Sequence, residues 1–226
     1  PKIEPVAQES EIDFILETIN TYLVKNATRR DVLSVFSGLR PLVKPRGNNV
    51  KTKEVSRRHK ILIDGQLLSI VGGKWTTYRK MAEDAVDNVI TTYGFRNSRS
   101  VTKDIAIHGN LSPGEEVRHD HLFIYGSAVE KYLRFEASKP EYKDKIHPEY
   151  LYTVGQIVWS IRFEMARTVE DFLGRRIRLL LLDARAAMAS SKKVSEIMAE
   201  EFGYDKHWAQ KQEQDFLTLA NTYIIV

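Results

Sequence analysis

The sequence predicts an α+β fold in which a small β-containing part precedes an all-α helical bundle. Strand patterns occur only in roughly the first 75 residues, and helical patterns alone follow residue 126. At 226 residues, 42% of them hydrophobic, the chain has enough apolar content for a real core in one large domain or two small ones. We favour two domains, with boundaries at 1–96 and 97–226.

The first part begins with a predicted helix over residues 10–24. Its apolar residues recur at helical spacing, and Ser10 with Asp13 reads as a capping box. Residues 32–36 are mainly apolar and include the β-branched Val32 and Val35, which predicts a buried strand. The prolines, glycine and asparagines of residues 41–49 predict an exposed loop.

A hairpin and a helix complete the first part. Residues 55–63 and 67–71 are strand-like, and Asp64 with Gly65 between them is a favoured tight-turn dipeptide. Apolar positions from Met81 to Ile90 then form one helix face, which should end at Gly94 because glycine commonly caps helix C-termini.

The second part is predicted to contain only helices. We expect a break between Arg167 and Leu173, where Asp171 and Gly174 interrupt the pattern, and a C-terminal cap at Gly203. The predicted helices are 127–137, 149–164, 169–189, 193–202 and 205–223.

Composition limits the function classes. There are 34 basic and 30 acidic residues spread along the chain, a balance that favours small anions over nucleic acid as partners. The absence of cysteine excludes disulfides and thiolate chemistry and suits a reducing compartment, so we expect a cytoplasmic location. No apolar stretch is long enough to span a bilayer. The first residues resemble neither a signal peptide nor an initiator, so we expect a piece of a longer protein.

The octet Gly72 to Arg79, Gly-Gly-Lys-Trp-Thr-Thr-Tyr-Arg, carries most of the functional signal. It joins the predicted strand 67–71 to the following helix, and a glycine turn before a helix N-terminus can hold a phosphate or cofactor. The nucleotide-triphosphate P-loop pattern fails, because Leu68 and Trp75 stand where it needs glycine and serine or threonine. No G-x-G-x-x-G motif is present. A tight turn without a ligand stays open as the alternative.

Three cationic segments could converge at one end of the predicted sheet. Arg40 follows the first strand, Arg57 stands near the start of the hairpin, and Lys74 follows its second strand. Guanidinium groups bind phosphate bidentately, and fixed cations stabilise developing negative charge. Ordinary surface salt bridges are the alternative. His119 and His121 lack a third ligand at fixed spacing, so no metal site is predicted.

A family resemblance rests on four motifs in order. These are Ser-Gly-Leu-Arg-Pro-Leu at 37–42, Ser-Arg at 56–57, residues 68–79 around the octet, and Met-Ala-Glu at 81–83; in the helical half, Glu164-Met165-Ala166 and residues 169–179 also match. Together they resemble the carboxyl-terminal part of aerobic, respiratory FAD-dependent glycerol-3-phosphate dehydrogenases, of the D-amino-acid-oxidase-like flavoprotein group. The first part would then be an incomplete carboxyl-terminal piece of a Rossmann-like FAD-binding domain with its cap.

The resemblance implies FAD as cofactor and sn-glycerol 3-phosphate as substrate, oxidised to dihydroxyacetone phosphate, with quinone as electron acceptor. It implies catalytic or substrate contacts for Arg40, Arg57 and Lys74. It implies flavin contacts for Gly72, Gly73, Lys74, Thr76 and Thr77. The family's G-x-G-x-x-G segment is absent from the sequence, so the isolated chain should be inactive.

Several alternatives remain open. The same scaffold could reoxidise its flavin with oxygen, as an oxidase, or the chain could be a non-catalytic helical interaction module. The resemblance leaves open a homodimer and peripheral attachment to the inner face of the membrane. It implies no nucleic-acid partner.

Overall fold

The computed structural model describes residues 5–39, 58–112, 114–115 and 120–225. The chain divides into two compact units: residues 38–107, here called the hairpin unit, and residues 1–37 with 108–226, here called the helical unit. The described strands are β1 (Lys60–Asp64) and β2 (Leu67–Val71), and the α-helices are α1 (Glu9–Asn20), α2 (Tyr78–Tyr93), α3 (Val129–Glu136), α4 (Val154–Phe163), α5 (Leu179–Leu182), α6 (Ala184–Phe202) and α7 (Lys206–Ala220).

The hairpin unit is built from β1, β2 and α2. The strands pair antiparallel, from Lys60 opposite Val71 to Asp64 opposite Leu67, so Gly65 and Gln66 form the tight turn. Gly65 has φ 57°, a conformation that glycine adopts without strain. Gly94 caps α2 with φ 72°, as predicted. The hairpin is therefore confirmed over residues 60–71, whereas residues 55–57 of its first predicted strand lie outside the described residues.

The helical unit holds the apolar core. Helix α4 is buried from Val154 to Ile161, and Trp159 at its centre is only 1% exposed. Phe172, Val194 and Met198 are fully buried in the unit's larger apolar cluster. Burial of this many large side chains supplies the main favourable term of folding. The helix-rich second half predicted from periodicity is confirmed.

The predicted buried strand at residues 32–36 is wrong. Leu33 and Phe36 are 50% and 61% exposed, and the segment pairs with no strand among the described residues. Its polar groups instead meet helical segments: the N–H of Val35 donates to the carbonyl of Tyr223 (2.8 Å), and the hydroxyl of Ser34 donates to the carbonyl of Leu180 (2.8 Å). The extended backbone was predicted, but its partners are distant in sequence.

The bounds of two predicted helices change. Helix α1 ends at Asn20 rather than near 24, because the Asn20 side chain makes two hydrogen bonds to the backbone of Ala27. Its capping box is formed by Gln8 and Glu11, not by Ser10 and Asp13. Helix α4 begins at Val154 rather than 149, since the side chains of Thr153 and Gln156 cap it there.

The predicted helices 169–189 and 193–202 divide differently. The helical pattern is interrupted before α5, where Arg178 has φ 59°, and again before α6, where the carboxylate of Asp183 accepts from the N–H of Ala186. Helix α6 then continues without interruption past Ser190 and Ser191, whose hydroxyls donate to carbonyls of the preceding turn. The irregular stretch after α4 agrees with the break expected near residues 167–173, and Gly203 caps α6 as predicted.

The compact units do not follow the predicted division at residue 96. Residues up to 37 belong with the helical unit because the segment before Ser37 hydrogen-bonds to Leu180, Ala184 and Tyr223. The predicted domains 1–96 and 97–226 stay a prediction.

Candidate functional site

The glycine turn has a backbone that other residues adopt only under strain. Gly72 and Gly73 have φ 75° and 86°. A Cβ on Gly73 would also lie 2.5 Å from the sulfur of Met81 and 3.2 Å from the Cβ of His59. The backbone conformation therefore favours glycine at 73, and any larger residue would also displace the end of the flexible Met81 side chain.

Lys74 to Thr77 form the start of the helix. Lys74 precedes a single 3₁₀ turn, Trp75–Thr77, that leads directly into α2. The N–H and hydroxyl of Thr77 both donate to the carbonyl of Lys74 at 3.0 Å. Within the described part of the chain, the N–H groups of Trp75 and Thr76 make no hydrogen bond. The turn thus presents free donors at the positive end of a helix dipole.

A depression of about 650 Å³ opens over this turn. Four of the predicted cofactor-contact residues line it: Gly72, Gly73, Lys74 and Thr76. Thr77 is not among its lining residues, because its hydroxyl bonds back to Lys74. The remaining lining residues are Ile70, Trp75, Tyr78, Met81, Ala82 and Ala85. A mostly apolar wall with a few polar donors is typical of cofactor sites.

Exposed aromatic rings flank the turn. Trp75 is 86% exposed, and its ring stacks on Tyr78 with centroids 5.6 Å apart. No described residue of the hairpin unit is buried, and Leu62, Leu67 and Val86 are each at least half exposed. Such a concentration of exposed apolar surface is unusual for an isolated unit and marks a surface that contacts something else.

The two lysines nearest the turn, Lys74 before α2 and Lys80 within it, differ in their ion pairs. Lys74 forms no ion pair with any described residue, whereas Lys80 contacts Glu83 (3.1 Å) and Asp84 (2.8 Å). The hydrogen bond from Lys80, and then that from His59, holds the pKa of Asp84 below its ordinary value. Lys74 is therefore left available for a ligand, while its neighbours on the helix are already paired.

Arg40 and Arg57 lie outside the described residues, and so does His119. Convergence of the two arginines with Lys74 stays a prediction. Among the described residues, no three His, Cys, Asp or Glu side chains come together as a metal site. No helix in that part of the chain is long and apolar enough to cross a membrane.

Sequence reasoning missed the pairing of His59 with Asp84, whose Nε2 and Oδ2 atoms lie 3.0 Å apart. The two residues are separated by 25 positions, on different elements. No local pattern signals such a pair.

The helical unit contains a second polar cluster, which is structural. The hydroxyls of Tyr132 and Thr153 both donate to Oε1 of Glu136, and the indole N–H of Trp159 donates to Oε1 of Glu164 at 3.0 Å. Burial raises the pKa of Glu164 above its ordinary value, and the hydrogen bond from Trp159 only partly offsets this. The cluster satisfies polar groups around α4.

This raised pKa makes a testable prediction for Glu164→Gln. A carboxyl group with a raised pKa in the folded state favours folding while protonated, and that contribution is lost as pH rises from its unfolded pKa through its folded pKa. Glutamine keeps the acceptor for Trp159 without the charge. We therefore expect the free energy of unfolding of the variant, relative to that of the wild type, to be higher at pH 7 than at pH 4. Urea denaturation of both proteins at the two pH values measures this difference. An identical difference at the two pH values would contradict the assignment.

Comparisons with known proteins bear on both units. The family model described as the C-terminal domain of alpha-glycerophosphate oxidase matches residues 65–209. The chain is 31% identical to a probable mitochondrial glycerol-3-phosphate dehydrogenase of Caenorhabditis elegans, over 98% of this chain and 33% of that protein. It is 33% identical to the mitochondrial glycerol-3-phosphate dehydrogenase of Schizosaccharomyces pombe (93% and 40%) and 32% identical to the human one (93% and 31%).

The fold also matches a solved structure. The glycerol-3-phosphate dehydrogenase of Bacillus halodurans, complexed with FAD, superposes with a TM-score of 0.75 at 25% identity, covering 98% of this chain and 46% of that one. The chain thus spans 31% to 40% of the curated relatives described here, and 46% of the solved neighbour.

Proposed function

We propose a role in glycerol-3-phosphate oxidation, because this chain belongs to the family of the C-terminal domain of alpha-glycerophosphate oxidase. The proposed activity is that of an FAD-dependent dehydrogenase that converts sn-glycerol 3-phosphate to dihydroxyacetone phosphate. The names of the relatives and the FAD complex of the solved neighbour support it. The isolated chain would be inactive, because the residues that bind the ADP half of FAD would lie elsewhere in the protein.

The observation that carries the proposal is the glycine turn with its free N–H groups. Side chains are absent at Gly72 and Gly73, and among the described residues the N–H groups of Trp75 and Thr76 and the ammonium of Lys74 have no partner. Donors and positive charge at a helix N-terminus suit an electron-accepting ring that gains negative charge on reduction. The residues present therefore fit FAD.

FAD, when bound, would supply the hydride acceptor for the substrate carbon that becomes the carbonyl. Lys74 would hold its ammonium beside the negative charge that develops, and a fixed cation costs no reorganisation during the reaction. Arg40 and Arg57 would bind the substrate or its developing carbonyl oxygen. Thr76 offers an exposed hydroxyl, whereas the hydroxyl of Thr77 is already donated to Lys74 and is left only as an acceptor.

The exposed apolar surface of the hairpin unit fits the same proposal. Leu62, Leu67, Trp75 and Val86 would be covered by the remainder of the FAD-binding domain, of which the hairpin unit would be the carboxyl-terminal piece. The helical unit, in contrast, has its own buried core.

The acceptor and location are further parts of the proposal. We favour quinone as acceptor, with oxygen as the alternative, and peripheral attachment to the inner face of the cytoplasmic membrane. The mitochondrial names of the relatives make a mitochondrial membrane the alternative location. Oxygen uptake with peroxide release, compared with quinone reduction, separates the two acceptors.

The decisive experiment uses the full-length protein. We expect a flavin absorption band that bleaches when glycerol 3-phosphate is added anaerobically and returns when a quinone is added. Glycerol 1-phosphate of the opposite configuration is the matched control and should not bleach the band. A folded full-length protein without flavin would overturn the proposal and would favour a non-catalytic helical module.

A further inference from the structure

The glycine turn is held from one side by His59. Lys60 and Val71 form the last pair of the β1–β2 ladder, so His59 and Gly72 face each other just beyond it. The Cβ of His59 lies 3.2 Å from the position that a Cβ on Gly73 would take. His59 therefore packs directly against the backbone of the turn.

The same histidine is tied to the helix that follows the turn. Its Nε2 lies 3.0 Å from Oδ2 of Asp84, and because a carboxylate only accepts, the imidazole N–H is the donor. The other carboxylate oxygen, Oδ1, contacts Lys80 at 2.8 Å, so both oxygens of Asp84 are fixed. Both members of the pair are partly shielded, with side chains 20% and 30% exposed. A partly shielded, charge-assisted hydrogen bond is stronger than an exposed one.

Two side-chain hydrogen bonds between described residues join α2 to the hairpin side of the unit. One joins His59 to Asp84, in the first half of α2, and in the other the hydroxyl of Tyr93, at the C-terminal end of α2, donates to the carbonyl of Gly65 (3.5 Å). Because no described residue of this unit is buried, apolar packing within it does little to fix the helix on the hairpin. The end of α2 that carries the free N–H groups therefore depends on His59.

We propose that His59 is a positioning residue: through its bond to Asp84 it closes the hairpin onto α2 and holds Gly72 and Gly73 in the shape that presents the N–H groups of Trp75 and Thr76 to the ligand. The ligand is FAD if the proposed function is correct. The role of His59 in positioning the glycine turn does not depend on which ligand binds there.

The test compares His59→Leu with His59→Gln in the full-length protein. Glutamine can place an N–H donor where the imidazole Nε2 stands, whereas leucine fills similar space without a donor. Amide hydrogen exchange at Thr77 and Ala82 should be about tenfold or more faster in His59→Leu and within about threefold of wild type in His59→Gln. The flavin dissociation constant should rise by a similar factor in the leucine variant alone.

Tyr93→Phe is the matched control, because it removes the hydrogen bond at the opposite end of α2. It should leave exchange at Thr77 and the flavin dissociation constant unchanged. Asp84→Ala should reproduce His59→Leu, and the double variant should be no worse than either single one, because the pair acts as a unit.

The outcomes separate the two proposals. Unchanged exchange at Thr77 and Ala82 in both His59→Leu and Asp84→Ala would overturn the positioning role, whether or not flavin binds. If the wild-type protein binds no flavin but exchange at Thr77 and Ala82 is still faster in the two variants, the positioning role holds and the proposed function is overturned. If His59→Leu fails to fold, amide exchange at Thr77 and Ala82 in Asp84→Ala, compared with that in His59→Gln, still decides the question.

Discussion

Lys74→Ala in the full-length protein should lower kcat/KM for glycerol 3-phosphate by about 10²- to 10³-fold, the usual cost of removing one fixed group that stabilises developing charge. Lys74 lines the depression and has no ion-pair partner among the described residues, so its loss should leave folding nearly unchanged. Steady-state kinetics with an artificial acceptor gives the rate, and thermal unfolding gives the stability.

The matched control for Lys74→Ala is Lys103→Ala. Lys103 is another exposed lysine of the hairpin unit, does not line the depression and should retain wild-type kinetics. An effect confined to KM would assign Lys74 to binding alone, because an interaction made only in the transition state lowers kcat and kcat/KM together. Wild-type turnover in Lys74→Ala would remove this residue from the site.

The second large effect is expected in the helical unit, for Trp159→Ala. Trp159 is 1% exposed and packs against Tyr125, Tyr132 and Phe135, so truncation should lower the local free energy of unfolding by about 3–5 kcal/mol. It also removes the indole N–H that Glu164 accepts, which leaves a half-buried carboxylate without that donor. Native-state hydrogen exchange at the amides of α4 measures this local stability in the full-length protein.

Leu151→Ala serves as the control for Trp159→Ala. Leu151 belongs to the same unit but is 54% exposed, so it should change exchange in α4 by less than about 1 kcal/mol. Equal losses of local stability in Trp159→Ala and Leu151→Ala would contradict the prediction that packing around Trp159 stabilises α4. Because the protein has at least two compact units, global melting alone would not assign the loss to either of them.

Features of the fold that depend on neighbouring residues were predictable. The spacing of apolar side chains identified the helices, Gly94 and Gly203 identified two helix ends, and the turn at Gly65 identified the hairpin. These features follow from backbone conformation and side-chain period, which act over a few residues. The octet 72–79 was recognisable for the same reason.

Features that depend on distant partners were not predictable. Residues 32–36 have strand-like composition, yet their backbone groups bond to Ala184 and Tyr223, and the hydroxyl of Ser34 donates to the carbonyl of Leu180. Separate helices were predicted over 169–189 and 193–202, but one helix continues through Ser190 and Ser191, which are buried and whose hydroxyls bond to carbonyls of the same helix. Propensity is a weak term, and tertiary contacts override it.

By itself, the sequence determined the glycine turn, its lysine and the helix behind them, because glycine conformation and helix initiation are local properties. It also carried the motifs by which the family was recognised. Only the tertiary structure decided that Met81 and His59 lie beside Gly73, that His59 bonds to Asp84, and that Lys80 is paired while Lys74 has no ion-pair partner in the part of the chain that is described. Those contacts join residues far apart in the chain, and they form only when the hairpin and α2 come together.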